Sequence, residues 1–119
     1  MTPGKYNIEI WRGSTWTIGI NAEELDFTDY DVIRMQIRPP WVKGIPVKPA
    51  LLELSMANGR ITLEDDNLTL RLTISADDTT DLSFDEGAYD LELIQTEEAG
   101  EVVDKLLYGS VSIKGERTV

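Results

Sequence analysis

The chain has 119 residues, with 22 acidic and 11 basic side chains and a net charge of −11. It contains no cysteine and no histidine, which excludes disulfides, thiolate metal sites and catalysis that depends on an imidazole. No apolar run approaches the roughly 20 residues needed to span a bilayer, and residues 1–5 carry no hydrophobic signal segment. We therefore expect residues 1–119 to form one domain that does not enter a membrane, with a polar tail at residues 114–119.

The negative charge is concentrated in one part of the chain. Residues 61–104 hold fourteen acidic side chains and a single basic one, Arg71, which gives this segment a charge of −13. An acidic surface repels phosphate backbones, so we do not expect nucleic acid as a partner. Two interpretations remain: the charge keeps the protein soluble, or it forms a surface complementary to a basic partner.

Alternation of apolar and polar residues predicts two strands in the first twenty residues. Arg12 and the two residues after it interrupt the pattern and separate the strands. Further on, Phe27 and Tyr30 are predicted to close one end of the core. The residues predicted to face inward from the two strands are Tyr6, Ile8, Ile10, Trp16, Ile18 and Ile20.

The clearest strand begins near Ile33. One face carries Ile33, Met35 and Ile37, and the opposite face carries Arg34, Gln36 and Arg38. Two prolines follow and end the strand, because proline cannot donate a ladder hydrogen bond. Residues 41–49 are rich in proline and are predicted to be an extended loop. A further strand is predicted over residues 51–56, with Leu52 and Leu54 buried.

The second half of the chain repeats this strand pattern. Asn58 and Gly59 form a strong signal for a type I′ hairpin turn. Residues 68–74 and 87–93 alternate as strands, and residues 102–113 predict a last strand or strand pair. Ser75 is placed as the N-cap of one helical turn. The predicted core includes Met35, Leu54, Leu70, Leu72 and Leu91.

Together these elements predict about seven to nine short strands with one helical turn. Strands spaced by roughly ten residues are typical of a β-sandwich. We predict an all-β, immunoglobulin-like antiparallel sandwich without the disulfide of antibody domains.

The order of the motifs resembles a family of small tailed-phage and prophage virion proteins. The resemblance covers about residues 6–113, although each motif alone is ordinary strand and turn chemistry. The segments that carry it are Gly-Ser-Thr-Trp at 13–16, Leu-Asp-Phe-Thr-Asp-Tyr at 25–30, Arg-Met-Gln-Ile-Arg at 34–38, Leu-Leu-Glu-Leu-Ser at 51–55, Asn-Gly-Arg-Ile-Thr-Leu at 58–63, Leu-Thr-Ile-Ser-Ala-Asp-Asp-Thr at 72–79, Gly-Ala-Tyr-Asp-Leu-Glu-Leu at 87–93 and Leu-Tyr-Gly-Ser-Val at 107–111.

The resemblance implies an immunoglobulin-like module similar to the N-terminal attachment domain of phage baseplate upper proteins. In that family the domain docks receptor-binding devices onto the tail. Here it stands without the long helix and receptor-binding part, and residues 41–49 depart from the family's shorter linkers. The resemblance brings no catalytic residue and no cofactor.

Two sets of acidic residues could ligate calcium through their oxygens, but neither matches an EF-hand loop. The first set is Glu64 to Asn67, and the second is Asp77, Asp78 and Asp81. We expect both to be solvated turns. The residues expected at a protein interface are Trp41, Val42, Lys43, Ile45 and Val47 in the proline-rich loop, with Trp11, Arg34 and Arg38. An alternative for Arg34 and Arg38 is a solvated face paired with Asp90 and Glu92.

The predicted function is that of a non-catalytic virion protein, made in the host cytoplasm, that joins tail, baseplate or fibre subunits in multiple copies. The alternative is a carbohydrate-binding module that contacts the host surface through Trp11 and Trp41. Without histidine, cysteine or a nucleophile motif, an enzyme is not expected.

Overall fold

The computed structural model describes residues 3–21, 25–39, 51–64 and 69–115. These residues form nine strands, one 3₁₀ turn at Phe27–Asp29 and one short helix, α1, at Ala76–Thr80. In chain order the strands are β1 Gly4–Lys5, β2 Ile8–Trp11, β3 Trp16–Asn21, β4 Val32–Arg38, β5 Leu52–Ser55, β6 Ile61–Leu63, β7 Thr69–Ile74, β8 Glu86–Glu97 and β9 Gly100–Lys114.

The strands form two sheets that pack as a sandwich, which confirms the predicted all-β class. The larger sheet has the order β1-β9-β8-β4-β5, and β2 pairs with β9 farther along than β1 does. The smaller sheet has the order β3-β7-β6. This division is compatible with an immunoglobulin-like arrangement, in which the second half of the chain contributes strands to both sheets.

The core lies between the two sheets and follows the alternation in the sequence. Ile33, Met35 and Ile37 on β4 are buried, as predicted from their shared face. Buried residues of β7 and β8 pack against them, and the five core residues predicted by alternation are all at most 1% exposed: Met35, Leu54, Leu70, Leu72 and Leu91. Burying a leucine of this size stabilises the fold by about 1.5–3 kcal/mol relative to leaving it in water.

The predicted helical turn is confirmed as α1. Ser75 is extended, and its hydroxyl accepts a hydrogen bond from the backbone N–H of Asp78 at 3.1 Å. Such a cap satisfies one of the N–H groups that a helix start leaves without an intrahelical partner. Thr79, which is fully buried, donates its hydroxyl to the carbonyl of Ser14 at 2.8 Å. The helix is thereby tied to the turn that precedes β3.

The predicted hairpin at Asn58 and Gly59 is wrong. β5 pairs with β4 and β6 pairs with β7, so the turn carries the chain from one sheet to the other. The Asn58 side chain stabilises this crossing, since its Oδ1 accepts from the N–H of Ser55 and of Arg60, both at 3.0 Å. A turn does form at Asn58 and Gly59. The residues of a turn, however, do not decide which strands pair.

The inward orientation predicted for Tyr6 is also wrong, because Tyr6 is 49% exposed. Its backbone approaches β9 so closely that a Cβ added at Gly109 would lie 2.2 Å from the Tyr6 carbonyl oxygen. That oxygen accepts a hydrogen bond from the buried Tyr89 hydroxyl at 2.5 Å. The predicted strand therefore begins only at Ile8, where β2 starts, and Tyr6 lies between β1 and β2.

Arg12, which interrupts the sequence pattern, has a side chain that is only 4% exposed. Its guanidinium donates to the carbonyls of Leu82, Phe84 and Gly115 at 3.0, 2.8 and 2.7 Å. It also pairs with the exposed carboxylate of Asp85 at 2.9 Å. This single side chain joins the end of β2 to the loop before β8 and to the residue after β9.

Candidate protein interaction surface

The outer face of the larger sheet carries the charged residues that the sequence predicted to be wet. Arg34 lies opposite Glu92 and pairs with it at 3.2 Å. On the next strand, Lys105 pairs with Asp90 at 3.4 Å. The pair between Arg34 and Glu92 agrees with the predicted alternative to a docking face, a solvated face whose arginines pair with neighbouring carboxylates. The Lys105–Asp90 pair is exposed and contributes little stability, so it is compatible with a surface that a partner covers.

One end of this outer face is apolar. The register places Val32, Ile94 and Val103 side by side on β4, β8 and β9. Val32 and Val103 are 41% and 43% exposed, whereas Ile94 between them is only 1% exposed. Ile94 lies outside the main buried cluster, and its neighbour Leu93 belongs to that cluster. The three side chains form an apolar row outside the core.

Beyond this row, β8 and β9 continue as a two-stranded ribbon. β4 begins at Val32, so the pairs from Gln95 and Val102 to the turn have no β4 residue beside them. The ribbon is fastened to the loop around the 3₁₀ turn, because the Thr96 N–H donates to the Asp31 carboxylate at 2.6 Å. The Gln95 amide donates to the carbonyl of Asp29 at 3.2 Å.

The ribbon and the loop beside it form what we call the acidic end. Neither residues 25–33 nor residues 93–104 contain a lysine or arginine. The carboxylates of the acidic end are Asp26, Asp29, Asp31, Glu97, Glu98, Glu101 and Asp104. Burial and the nearby Asp104 carboxylate raise the pKa of Tyr30. The hydroxyl and backbone N–H of Thr28 lower the pKa of Asp26.

Within the described part of the chain, other strands pair with only part of the outer edge of β9, and we call the unpaired part the bare edge. β1 pairs with β9 at Leu107 and Tyr108, and β2 pairs with it from Val111 onward. A bulge lies between Lys105 and Leu107, where the register with β8 shifts by one residue. Among the strands in the described part of the chain, none pairs with this edge over residues 100–105.

The other predicted interface residues fall in different places. Trp11, the last residue of β2, is 55% exposed beside Lys114, as its position on the polar side of the strand predicted. Five predicted contacts lie outside the described residues: Trp41, Val42, Lys43, Ile45 and Val47. Tyr6 and Tyr108 are exposed neighbours, which sequence reasoning missed because Tyr6 was assigned to the core.

The structure describes one of the two acidic candidates for a metal site. The Asp78 carboxylate accepts a hydrogen bond from Arg60 at 2.9 Å, and this bond lowers the pKa of Asp78. Residues 65–67 of the other candidate lie outside the described part of the chain. Within the described ranges, no three acidic side chains are grouped as a metal ion would require. No helix in those ranges is long and apolar enough to cross a membrane.

Comparison of the sequence with protein-family models finds no match. Comparison with curated proteins finds no significant relative either.

Proposed function

We propose that the protein is a non-catalytic interaction module of a tailed-phage virion, which joins tail, baseplate or fibre subunits and is present in multiple copies. The virion setting comes from the motif resemblance over residues 6–113. The interaction role is supported by exposed apolar and charged groups on the sandwich surface.

The observation that carries the interaction role is the exposure of Trp11. At 55%, it is the most exposed large hydrophobic side chain in the described residues. Tryptophan is enriched at the centres of protein interfaces, where a few aromatic side chains supply most of the binding free energy. Its neighbour in the register is Lys114, which adds a cation beside the ring.

The outer face of the larger sheet is a second contact region. Arg34 and Arg38 are half-buried and already held by neighbours, since Arg34 pairs with Glu92 and Arg38 donates to Gln36. Side chains that are positioned in this way lose little conformational freedom when a partner binds. This face therefore suits a second virion subunit better than a flexible charged surface would.

The test is incorporation of Trp11→Ala into particles, measured by complementation with tagged protein and immunoblotting of purified virions. We expect a normally folded, equally stable protein whose incorporation falls at least tenfold, because interface hot spots cost about 2 kcal/mol or more when truncated. Met56→Ala is the control, since Met56 is 45% exposed elsewhere on the surface. Undiminished incorporation of Trp11→Ala would contradict the proposal.

The proline-rich segment at residues 41–49 is tested in the same way. We expect Trp41→Ala to leave stability unchanged and to reduce incorporation if residues 41–47 contact a neighbouring subunit. Loss of stability in the isolated protein would instead assign Trp41 to the packing of its own domain.

Carbohydrate binding is the second candidate function, and the exposed pair Tyr6 and Tyr108 adds an observation in its favour. The backbone N–H of Tyr6 donates to the carbonyl of Tyr108 at 2.9 Å, so the two residues are neighbours at the sheet edge. A glycan array distinguishes the two functions. Specific binding by the isolated protein, lost in Tyr108→Ala, would favour the carbohydrate module.

A further inference from the structure

We propose that the bare edge of β9 over residues 100–105 accepts an extended segment of a neighbouring protein as an added strand, and that this segment carries lysine or arginine. The inference rests on the interaction role proposed above and names the surface and the chemistry of one partner. The surface consists of the β9 edge, the exposed side chains of Val102 and Val103, and the carboxylates of the acidic end.

The backbone of β9 over residues 100–105 is suited to pairing with an added strand. An edge strand presents N–H and C=O groups that pair readily with another chain. Among the described strands, those that cover the outer side of β9 do so from Leu107 onward, where β1 begins to pair. Six residues in a strand extend over roughly 20 Å, and the three that face the edge offer about six ladder hydrogen bonds. The bulge beside Leu107 separates this bare part from the part that β1 and β2 cover.

Two exposed valines on β9 offer apolar surface that an added strand would cover. Val102 and Val103 are 40% and 43% exposed, and they point to opposite faces of the ribbon. On the outer face, Val103 is the last member of the apolar row that begins at Val32 and passes through Ile94. An added strand would place a side chain next to Val103 and extend that row. An apolar residue there would bury surface that water now covers.

The carboxylates beside the bare edge favour a basic partner. Glu101 is two residues from Val103 and therefore on the same face, and Glu97 and Glu98 lie at the ribbon turn. A second copy of this chain would bring its own carboxylates against these, and both copies carry a net charge of −11. Opposite charges on adjacent strands stabilise a sheet, whereas like charges destabilise it. The same carboxylates that discourage self-pairing favour a basic strand.

The probe is a seven-residue peptide of alternating lysine and valine, acetylated and amidated, and titrated into the whole protein. Binding is measured by nuclear magnetic resonance, with amide shifts mapped onto the sequence. We expect the largest shifts at residues 100–105 and saturable binding that weakens as salt is added. A control peptide has the same charge but carries N-methyl groups on all its backbone nitrogens, so that neither of its edges can donate ladder hydrogen bonds.

The outcomes separate the explanations. Binding of the plain peptide with loss in the N-methylated one supports strand addition. Equal binding of the two peptides would show that charge alone drives the interaction, and this result would overturn the proposal. Amide shifts located outside residues 100–105 would also overturn it. Self-association of the free protein, with shifts at this edge, would assign it to a second copy and also overturn it.

A pair of variants tests the carboxylates. Glu98→Gln with Glu101→Gln should weaken peptide binding about fivefold to thirtyfold, because two exposed ion pairs are lost. Glu9→Gln with Glu53→Gln changes the net charge equally at exposed positions on β2 and β5 and should leave binding within about twofold. Equal effects of both pairs would contradict a local site. The peptide assay does not depend on virion assembly, so its failure is distinguishable from failure of Trp11→Ala to alter incorporation.

Discussion

Replacement of Arg12 by methionine is the most informative test of the fold. Methionine keeps much of the apolar stem but removes every guanidinium hydrogen bond. The Leu82 and Phe84 carbonyls are part-buried acceptors that would lose this donor. Each such loss costs about 1–2 kcal/mol. The pair with Asp85 adds little, since that carboxylate is 61% exposed. We therefore expect a total loss of about 3 kcal/mol in the free energy of unfolding.

Urea denaturation followed by far-ultraviolet circular dichroism measures this loss. The midpoint should fall without a change in the denaturant slope, and the melting temperature should fall by roughly 10–15 °C. Arg71→Met is the matched control. It also removes an arginine from an ion pair, but the side chains of Arg71 and Glu64 are 41% and 39% exposed. We expect less than about 1 kcal/mol there. An Arg12→Met loss no larger than that of Arg71→Met would refute the reasoning.

Three further predictions follow from the core and from the contact between Tyr6 and β9. Leu91→Ala should cost about 2–5 kcal/mol in urea denaturation, since Leu91 is fully buried, and an unchanged midpoint would contradict the assigned strand phase. Gly109→Ala should cost about 1–3 kcal/mol, because the added Cβ would lie 2.2 Å from the Tyr6 carbonyl oxygen. Gly19→Ala, where the nearest atoms belong to a flexible arginine side chain, should cost less, and the reverse order would contradict the close approach. Burial raises the pKa of Tyr89 to about 12, whereas tyrosine in an unfolded chain ionises near pH 10. The stability that Tyr89 contributes is thus complete below about pH 10 and is lost as the pH rises through about 12. Tyr89→Phe should therefore flatten the fall in the free energy of unfolding across this pH range. An unaltered slope of that free energy against pH would contradict the assignment.

The strands that sequence reasoning predicted best are those with one buried face. In β4 the three buried residues alternate with two arginines and a glutamine, so a slip of one residue would bury the charges. The Ser75 cap was equally predictable, because its partner is the N–H of Asp78, three residues along the chain. In both cases the interaction that decides the structure is local or periodic.

The features that sequence reasoning missed depend on residues far apart in the chain. In the sequence, Arg12 only interrupts an alternating pattern. The Leu82 and Gly115 carbonyls that accept its hydrogen bonds are 70 and 103 residues away. The close approach of the Tyr6 carbonyl to β9 depends on the absence of a side chain at Gly109, which no local pattern reveals. The bare edge of β9 is likewise a property of the topology, since it depends on where β1 begins to pair.

The parallel pairing of the first and last strands has a mechanical consequence. β1 and β2 run alongside β9, with Gly4 opposite Leu107 and Trp11 opposite Lys114, so the chain enters and leaves at opposite ends of the ladder. Tension transmitted through the flanking chain would slide these strands past each other and load the hydrogen bonds between them together, rather than opening them one at a time. The Arg12 bond to Gly115 lies at the exit end and shares that load. We expect single-molecule stretching through the two chain ends to show a distinct rupture peak that weakens in Arg12→Met, since forced rupture reports the unfolding barrier. The pairing at this edge of the sheet is thus also the shear-resistant element of the domain.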